Sequence, residues 1–256
     1  MSLRMKKSTV IFGAILLIQS LAYGQKDTVF VYGPGGPYPA MNEAAAVFSR
    51  KSNVVIKVIK GPVSKWEKSA KLNADIIYSG SEFMMTNFSK KFNIIEKETI
   101  TPLYLRKSGL LVRPSNPKNI KSFSDILKSD IRILVVTGAG LTGVWESMIG
   151  QTKDIDSLKM LRQNIVFYAA NSGLAKKEWI NDKSIDVWIT WDIWQISNST
   201  LADFIPVKEK FTIYRDCGIA LTTNSHNNNK TAVDFYNFLK SEEVKPIFKK
   251  WGWLTE

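Results

Sequence analysis

The sequence predicts an α/β protein with two mainly parallel sheets flanked by helices, and three observations carry that prediction. Short apolar strands alternate with helical segments, the order that produces a parallel sheet with helices on both faces. Four of those strands run straight into turns of glycine and small polar residues that open a helix: Gly33–Pro37, Ser79–Glu82, Thr137–Gly143 and Ala169–Gly173. Two longer extended segments, near Tyr104–Val112 and Tyr214–Leu221, interrupt the alternation and fit a chain that crosses a hinge twice.

The chain opens differently. Lys6 and Lys7 precede an uncharged apolar run, Thr9–Leu21, followed by Ala22-Tyr23-Gly24. A basic start, an apolar stretch too short for a comfortable membrane span and small residues at the cleavage positions read as a secretory signal peptide over residues 1–24, cut before Gln25. Met5 is a natural start, so residues 1–4 read as an added leader. No cysteine follows the cleavage point to carry a lipid, and the mature chain is expected to diffuse freely in a bacterial periplasm. Removing Arg4, Lys6 and Lys7 takes three positive charges from the formal +12 and leaves +9. The lysines are scattered rather than gathered with aromatics on one face, which argues against a nucleic-acid partner and leaves a solvated basic surface able to steer anions.

The elements follow in order. Thr28–Tyr32 is a strand, stopped by Gly33-Pro34-Gly35-Gly36-Pro37; Ala40–Arg50 has apolar residues at helical spacing and ends at Lys51-Ser52-Asn53. Val54–Ile59 is a strand, Ser64–Leu72 a short helix with Ser64 as its cap, Ala74–Tyr78 a strand and Phe83–Phe88 a helix. Pro102–Arg113 is extended. Ser122–Leu127 is a helix capped by Ser122 or Ser124, Ile131–Val136 a strand, Val144–Ile149 and Asp154–Gln163 helices. Ile165–Tyr168, Leu174–Asn181 and Asp186–Trp191 give strand, helix, strand. Phe204–Val207 and Phe211–Tyr214 are short strands, Ile219–Thr222 another apolar strand, Asn224–Asn229 a polar loop, and helices Thr231–Leu239 and Glu242–Lys250 close the chain.

At this point a family is recognisable. The strand–GPGGP–helix start, ADIIYSGSE, PLYLRKSGLLVRPSNPKNIKSFSDIL, IYRDCGIAL and the C-terminal FLKSEEVKPIFKKWGW together resemble the extracytoplasmic solute-binding proteins of the molybdate/sulfate type, within them the accessory colonization factor AcfC group. The resemblance spans nearly the whole mature chain. It implies the two-lobe periplasmic-binding-protein fold (type II), with lobe one formed by residues 25–105 plus 217–256, lobe two by 106–216, and the ligand between them. In open α/β sheets a ligand lies beyond the carboxyl ends of the strands, so all four turns are expected to face one cleft.

A buried oxyanion must recover the hydrogen bonds it loses from water. Candidate donors are the first loop (Gly35, Gly36, Pro37), the hydroxyls of Ser79 and Ser81, the turn Thr137, Ala139 and Gly140, Ser172, and the indole N–H of Trp191. Arg106 and Arg215, in the two crossing segments, are placed to clamp a dianion, with surface or inter-lobe ion pairs as the competing role. By resemblance, the first loop, Ser79 and the Trp191 region correspond to ligand-contacting loops; this first loop offers glycine and proline where those proteins offer a serine hydroxyl. Tyr38, Tyr78 and Tyr104 raise a ferric ion as an alternative, against aromatic packing. His226, the single histidine, lies in a polar loop, and Cys217, the single cysteine, has no histidine near it in sequence, so no catalytic group, resident metal or cofactor is expected. The reading is a monomeric binder of a small anion, a sulfate- or molybdate-like tetrahedral oxyanion, serving a membrane ABC permease or a chemoreceptor. A small organic acid, a ferric ion, or an adhesion and colonisation role on the same scaffold are the alternatives.

Overall fold

In the computed structural model, residues 28–226 and 229–256 are described, so the expected signal peptide and Asn227-Asn228 lie outside the described residues. Strand β1 (Thr28–Gly33) is the middle of a parallel trio with β2 (Val55–Lys60) and β3 (Ile76–Tyr78). Alternate side chains of a strand leave on opposite faces. Val29 and Val31 accordingly join the main core with Met41, Ala44 and Phe48 of α1 (Tyr38–Ser52), while Tyr32 joins a smaller core with Trp66 of α2 (Val63–Asn73) and Met84 and Phe88 of α3 (Glu82–Lys91). Asn53, with φ of 53°, ends α1 in the left-handed region that asparagine tolerates. Ser64 sits inside α2 rather than capping it; the helix starts directly after Pro62 without a side-chain cap.

The chain then crosses through β4 (Thr101–Val112) into a second trio: β5 (Ile133–Val136), which is parallel to both β6 (Ile165–Ala169) and β7 (Val187–Trp191). Two strands complete the sheet: the short β8 (Asp203–Ile205) lies antiparallel on β4, and the longer β9 (Tyr214–Leu221) carries the chain back. The first half of β4 pairs with β9, the second half with β7, and β9 also pairs with β3, all antiparallel. The strand order is β2-β1-β3-β9-β4-β7-β5-β6. Pairing is thus parallel within each trio and antiparallel where the two crossing strands join them.

Helices α4 (Val144–Gly150), α5 (Ile155–Asn164) and α6 (Ser172–Asn181) flank the second trio, and α7 (Asp192–Ile196) follows β7 without a break. The sequence pattern gave no sign of α7, a five-residue helix started by Asp192, whose carboxylate accepts the N–H of Ile193 at 2.8 Å. Residues Phe123–Leu127 form a 3₁₀ turn boxed by Ser122 and Asp125. The expected strand Phe211–Tyr214 divides into a 3₁₀ turn, Glu209–Phe211, and the start of β9. Phe211 is buried because its ring stacks on Phe123 at 4.6 Å, not because it sits in a sheet. After α8 (Thr223–His226), helix α9 (Lys230–Leu239) returns to α1, setting Phe235 and Phe238 against Phe48 at 5.2 and 5.4 Å. The last predicted helix is split: Glu242–Val244 is a 3₁₀ turn, and α10 (Lys245–Lys250) starts with Pro246 in its first turn, where a missing N–H costs nothing.

Candidate anion-binding cleft

Arg106 lies on β4 where β4 leaves one trio for the other, directly opposite Arg215 of β9. Its side chain is 3% exposed. The guanidinium lies 4.5 Å from the ring centre of Trp191 and 5.3 Å from that of Trp253, a cation held against two indole rings. One Nη donates to the carbonyl of Gly80, and Nε has no partner. Among the described residues no carboxylate forms an ion pair with it. Burial lowers its pKa to about 10, which still leaves it charged at neutral pH. A buried charge with no ion-pair partner is costly even with Asp216 and Asp192 near enough to favour it, and an anion would relieve that cost.

Three glycines make room for this guanidinium. A Cβ on Gly36 would lie 2.6 Å from one Nη, and on Gly80 or Gly140 2.7 Å from the other. These residues come from three different strand-to-helix turns, so any side chain there would displace the guanidinium. A cleft of about 870 Å³ opens above it. One wall carries Gly35, Gly36, Pro37 and the start of α1, where no side-chain cap closes the first turn, with Lys60 and Lys65 beside it; the other carries Gly140, Ser172, Gly173, Lys176 and α7. Unclosed N-termini and glycine backbone are suited to anionic oxygens. Asp192, buried at the start of α7, has its pKa raised to about 6 by burial, so it neutralises Arg106 poorly in weakly acidic solution.

The C-terminal turn braces the floor. Leu254 and Leu105 exchange backbone hydrogen bonds of 2.7 and 3.1 Å, Trp251 Nε1 donates to Glu43 at 2.7 Å, and Gly252 (φ 88°) is pressed on α7, where a Cβ would meet Ile196 at 2.4 Å. This turn therefore touches α1, β4 and α7 together, and it sets Trp253 under Arg106.

Of the residues anticipated for the ligand, Gly35, Gly36, Pro37, Arg106, Gly140, Ser172 and Trp191 line the cleft. Trp191 presents its ring face to Arg106 rather than standing as an isolated donor. Ser79, Ser81, Thr137 and Arg215 lie outside the lining. Ser81 is buried and caps α3, accepting the Met84 N–H at 3.1 Å. Ser79 is buried with its N–H on the carbonyl of Gly218 at 2.8 Å; Gly80, between these serines, is the residue that reaches the cleft. Thr137 turns its hydroxyl back to the Ala169 carbonyl at 3.3 Å, Ala139 belongs to a short 3₁₀ turn, and Arg215 donates to the Tyr214 carbonyl at 2.9 Å. Of the three tyrosines, Tyr38 alone lines the cleft; Tyr78 is wholly buried and Tyr104 packs on Phe248 at 4.7 Å. Cys217 is buried, which pushes its thiol well up. Lys60, Lys65, Lys176, Asn198 and Trp194 are cleft residues that sequence patterns did not single out. Only Lys176 left a trace, one helical turn beyond Ser172 on the same face.

Behind the floor is a pair of acids. Asp216 Oδ2 and Ser79 Oγ each lie 3.1 Å from the point where a Cβ of Gly218 would stand, and Glu82 Oε1 lies 3.7 Å from it. Asp216 is buried and Glu82 is exposed on its outer side. Burial raises both carboxyls above their ordinary values, and the charge of Asp216 raises Glu82 further. Stability from such raised groups is fully present below the unfolded carboxylate pKa of about 4 and is lost as pH rises through the folded values. Glu82→Gln is therefore expected to stabilise the fold at pH 7, by no more than about 1 kcal/mol because water screens the exposed side, and to give no advantage near pH 4. Melting curves across that range check it; an equal effect at both ends would show that the two carboxyls do not interact.

Two α/β halves meeting over a buried guanidinium at the floor of a cleft are the architecture of a solute-binding protein. The chain belongs to the bacterial extracellular solute-binding protein family, whose sequence pattern it matches over residues 29–254. Among solved structures, PEB3 bound to L-phospholactate superposes with a TM-score of 0.84 at 35% identity, covering 89% of this chain and 100% of that one. Peb3 from Campylobacter jejuni gives 0.82 at 35% identity over the same shares. The sulfate-binding protein SubI from Mycobacterium tuberculosis H37Rv gives 0.73 at 15% identity (88% and 86% covered), a likeness of fold alone. A search of curated proteins finds no match. The family is one of binding proteins, and no helix among the described residues is long and apolar enough to cross a membrane.

Proposed function

We propose that this protein is a periplasmic receptor for a small organic acid bearing a tetrahedral oxyanion, such as a short phosphorylated carboxylic acid. The lobes, 25–105 plus 217–256 and 106–216, would close over it, and the closed monomer would present it to a membrane ABC permease or a chemoreceptor. The observation that carries the reading is Arg106: a buried cation among glycines, with no carboxylate partner, at the floor of a cleft. Organic ligands occupy clefts of about 300–1,000 Å³. At about 870 Å³ this one has room for more than a lone sulfate or molybdate. PEB3, at 35% identity, has been seen with L-phospholactate, and that ligand supports the same chemical class here.

A thermal-shift screen of the mature chain tests it, with phospholactate, inorganic phosphate, sulfate, molybdate, citrate and Fe(III) as probes. Phospholactate at about 100 times its dissociation constant is expected to add about 2.7 kcal/mol and raise the midpoint by several degrees. A shift confined to sulfate and molybdate would return the ligand to a free oxyanion, and a shift with Fe(III) alone would overturn the anion reading.

A further inference from the structure

We propose that Lys176, with the indoles beside it, receives the carboxylate of that ligand while Arg106 holds the tetrahedral head. This rests on the anion reading above and assigns another part of the lining of the same cleft.

Lys176 projects from α6 one turn beyond Ser172 and is half-buried. Its Nζ donates to Asn198 Oδ1, and Asn198 Nδ2 donates in turn to the Trp194 carbonyl at 2.9 Å. The ammonium is thus fixed in place by a neutral amide, and among the described residues no carboxylate forms an ion pair with it. A side cavity of about 10 Å³ adjoins this point, lined by Lys176, Asn198, Trp188 and Trp194. Trp188 is 2% exposed and its Nε1 has no partner; the Nε1 of Trp194 is likewise buried without one, with the two rings 5.7 Å apart. Lysine and tryptophan side chains offer donors and no acceptor. This corner therefore holds an uncompensated charge and two unused N–H groups, and what it lacks is an acceptor carrying negative charge. A carboxylate at Lys176 satisfies the charge, and the single water the side cavity could admit links its oxygens to the indoles.

The experiment is calorimetric titration of the full mature chain with phospholactate and with inorganic phosphate, in wild type, Lys176→Met and Lys176→Arg. Wild type is expected to prefer phospholactate, and Lys176→Met to cut that preference about tenfold or more, as loss of one charge-assisted contact does. Lys176→Arg keeps the charge and is expected to keep most of the preference. An undiminished preference in Lys176→Met, an equal loss in Lys176→Arg, or a wild type that binds both probes alike would each overturn the assignment. A wild type that binds neither probe would instead overturn the anion reading on which it rests.

Discussion

Arg106→Met is expected to weaken anion binding at least about 100-fold, about 3 kcal/mol, while the ligand-free protein unfolds at the same or a higher temperature. The two halves of that expectation have one cause. In the ligand-free cleft the guanidinium is buried, lowered in pKa by burial, and satisfied only by the Gly80 carbonyl and two indole faces. Exchanging an unpaired buried cation for an apolar chain of similar length relieves the free form, and a thioether packs well between indoles. With the anion present the balance reverses, because charge-assisted bonds to a desolvated oxyanion are among the strongest a protein makes. Titration calorimetry and melting curves on the same samples check both parts. Affinity and midpoint falling together would make Arg106 a structural residue, and unchanged affinity would remove it from the site.

The sequence made the strands and helices legible because hydrophobic spacing and glycine turns are local properties. Val29 and Val31 facing α1 while Tyr32 faces α2 is alternation that can be read directly from Thr28–Gly33. The site was legible where it is made of turns: the GPGG loop, Gly140 and Ser172 all reach the cleft. It failed where side-chain direction decides. Ser79-Gly80-Ser81 offers two hydroxyls, yet both are buried, that of Ser81 capping α3 and that of Ser79 near Gly218, and the glycine reaches the cleft. Arg106 and Arg215 are indistinguishable by position, each on a crossing strand. Packing separates them, since Trp191 and Trp253 flank only one guanidinium. Trp253 and α7 arrive from segments far apart in sequence, so no local pattern announces them.

Gly140→Ala should cut affinity by about 10- to 100-fold while leaving each half's core intact. The added Cβ would stand 2.8 Å from the Gly80 carbonyl oxygen and 2.7 Å from an Arg106 Nη. Gly80 follows β3 in the first trio, and Gly140 follows β5 in the second, so this contact joins the two trios beside Arg106. A carbonyl cannot retreat as a flexible side-chain tip can, so the methyl acts as a wedge. Forcing such a contact costs about 1–3 kcal/mol, which the protein can avoid by holding its halves apart. The cost then falls on the closed, liganded form more than on the open one. Small-angle scattering should accordingly show a compaction on phospholactate addition in wild type that the variant loses. Gly150→Ala, at a position with open space around it, controls for the substitution itself. Full affinity and full compaction in Gly140→Ala would mean that the halves need not meet at Gly80 for the anion to be held, and would leave Arg106 as the one fixed point of the cleft.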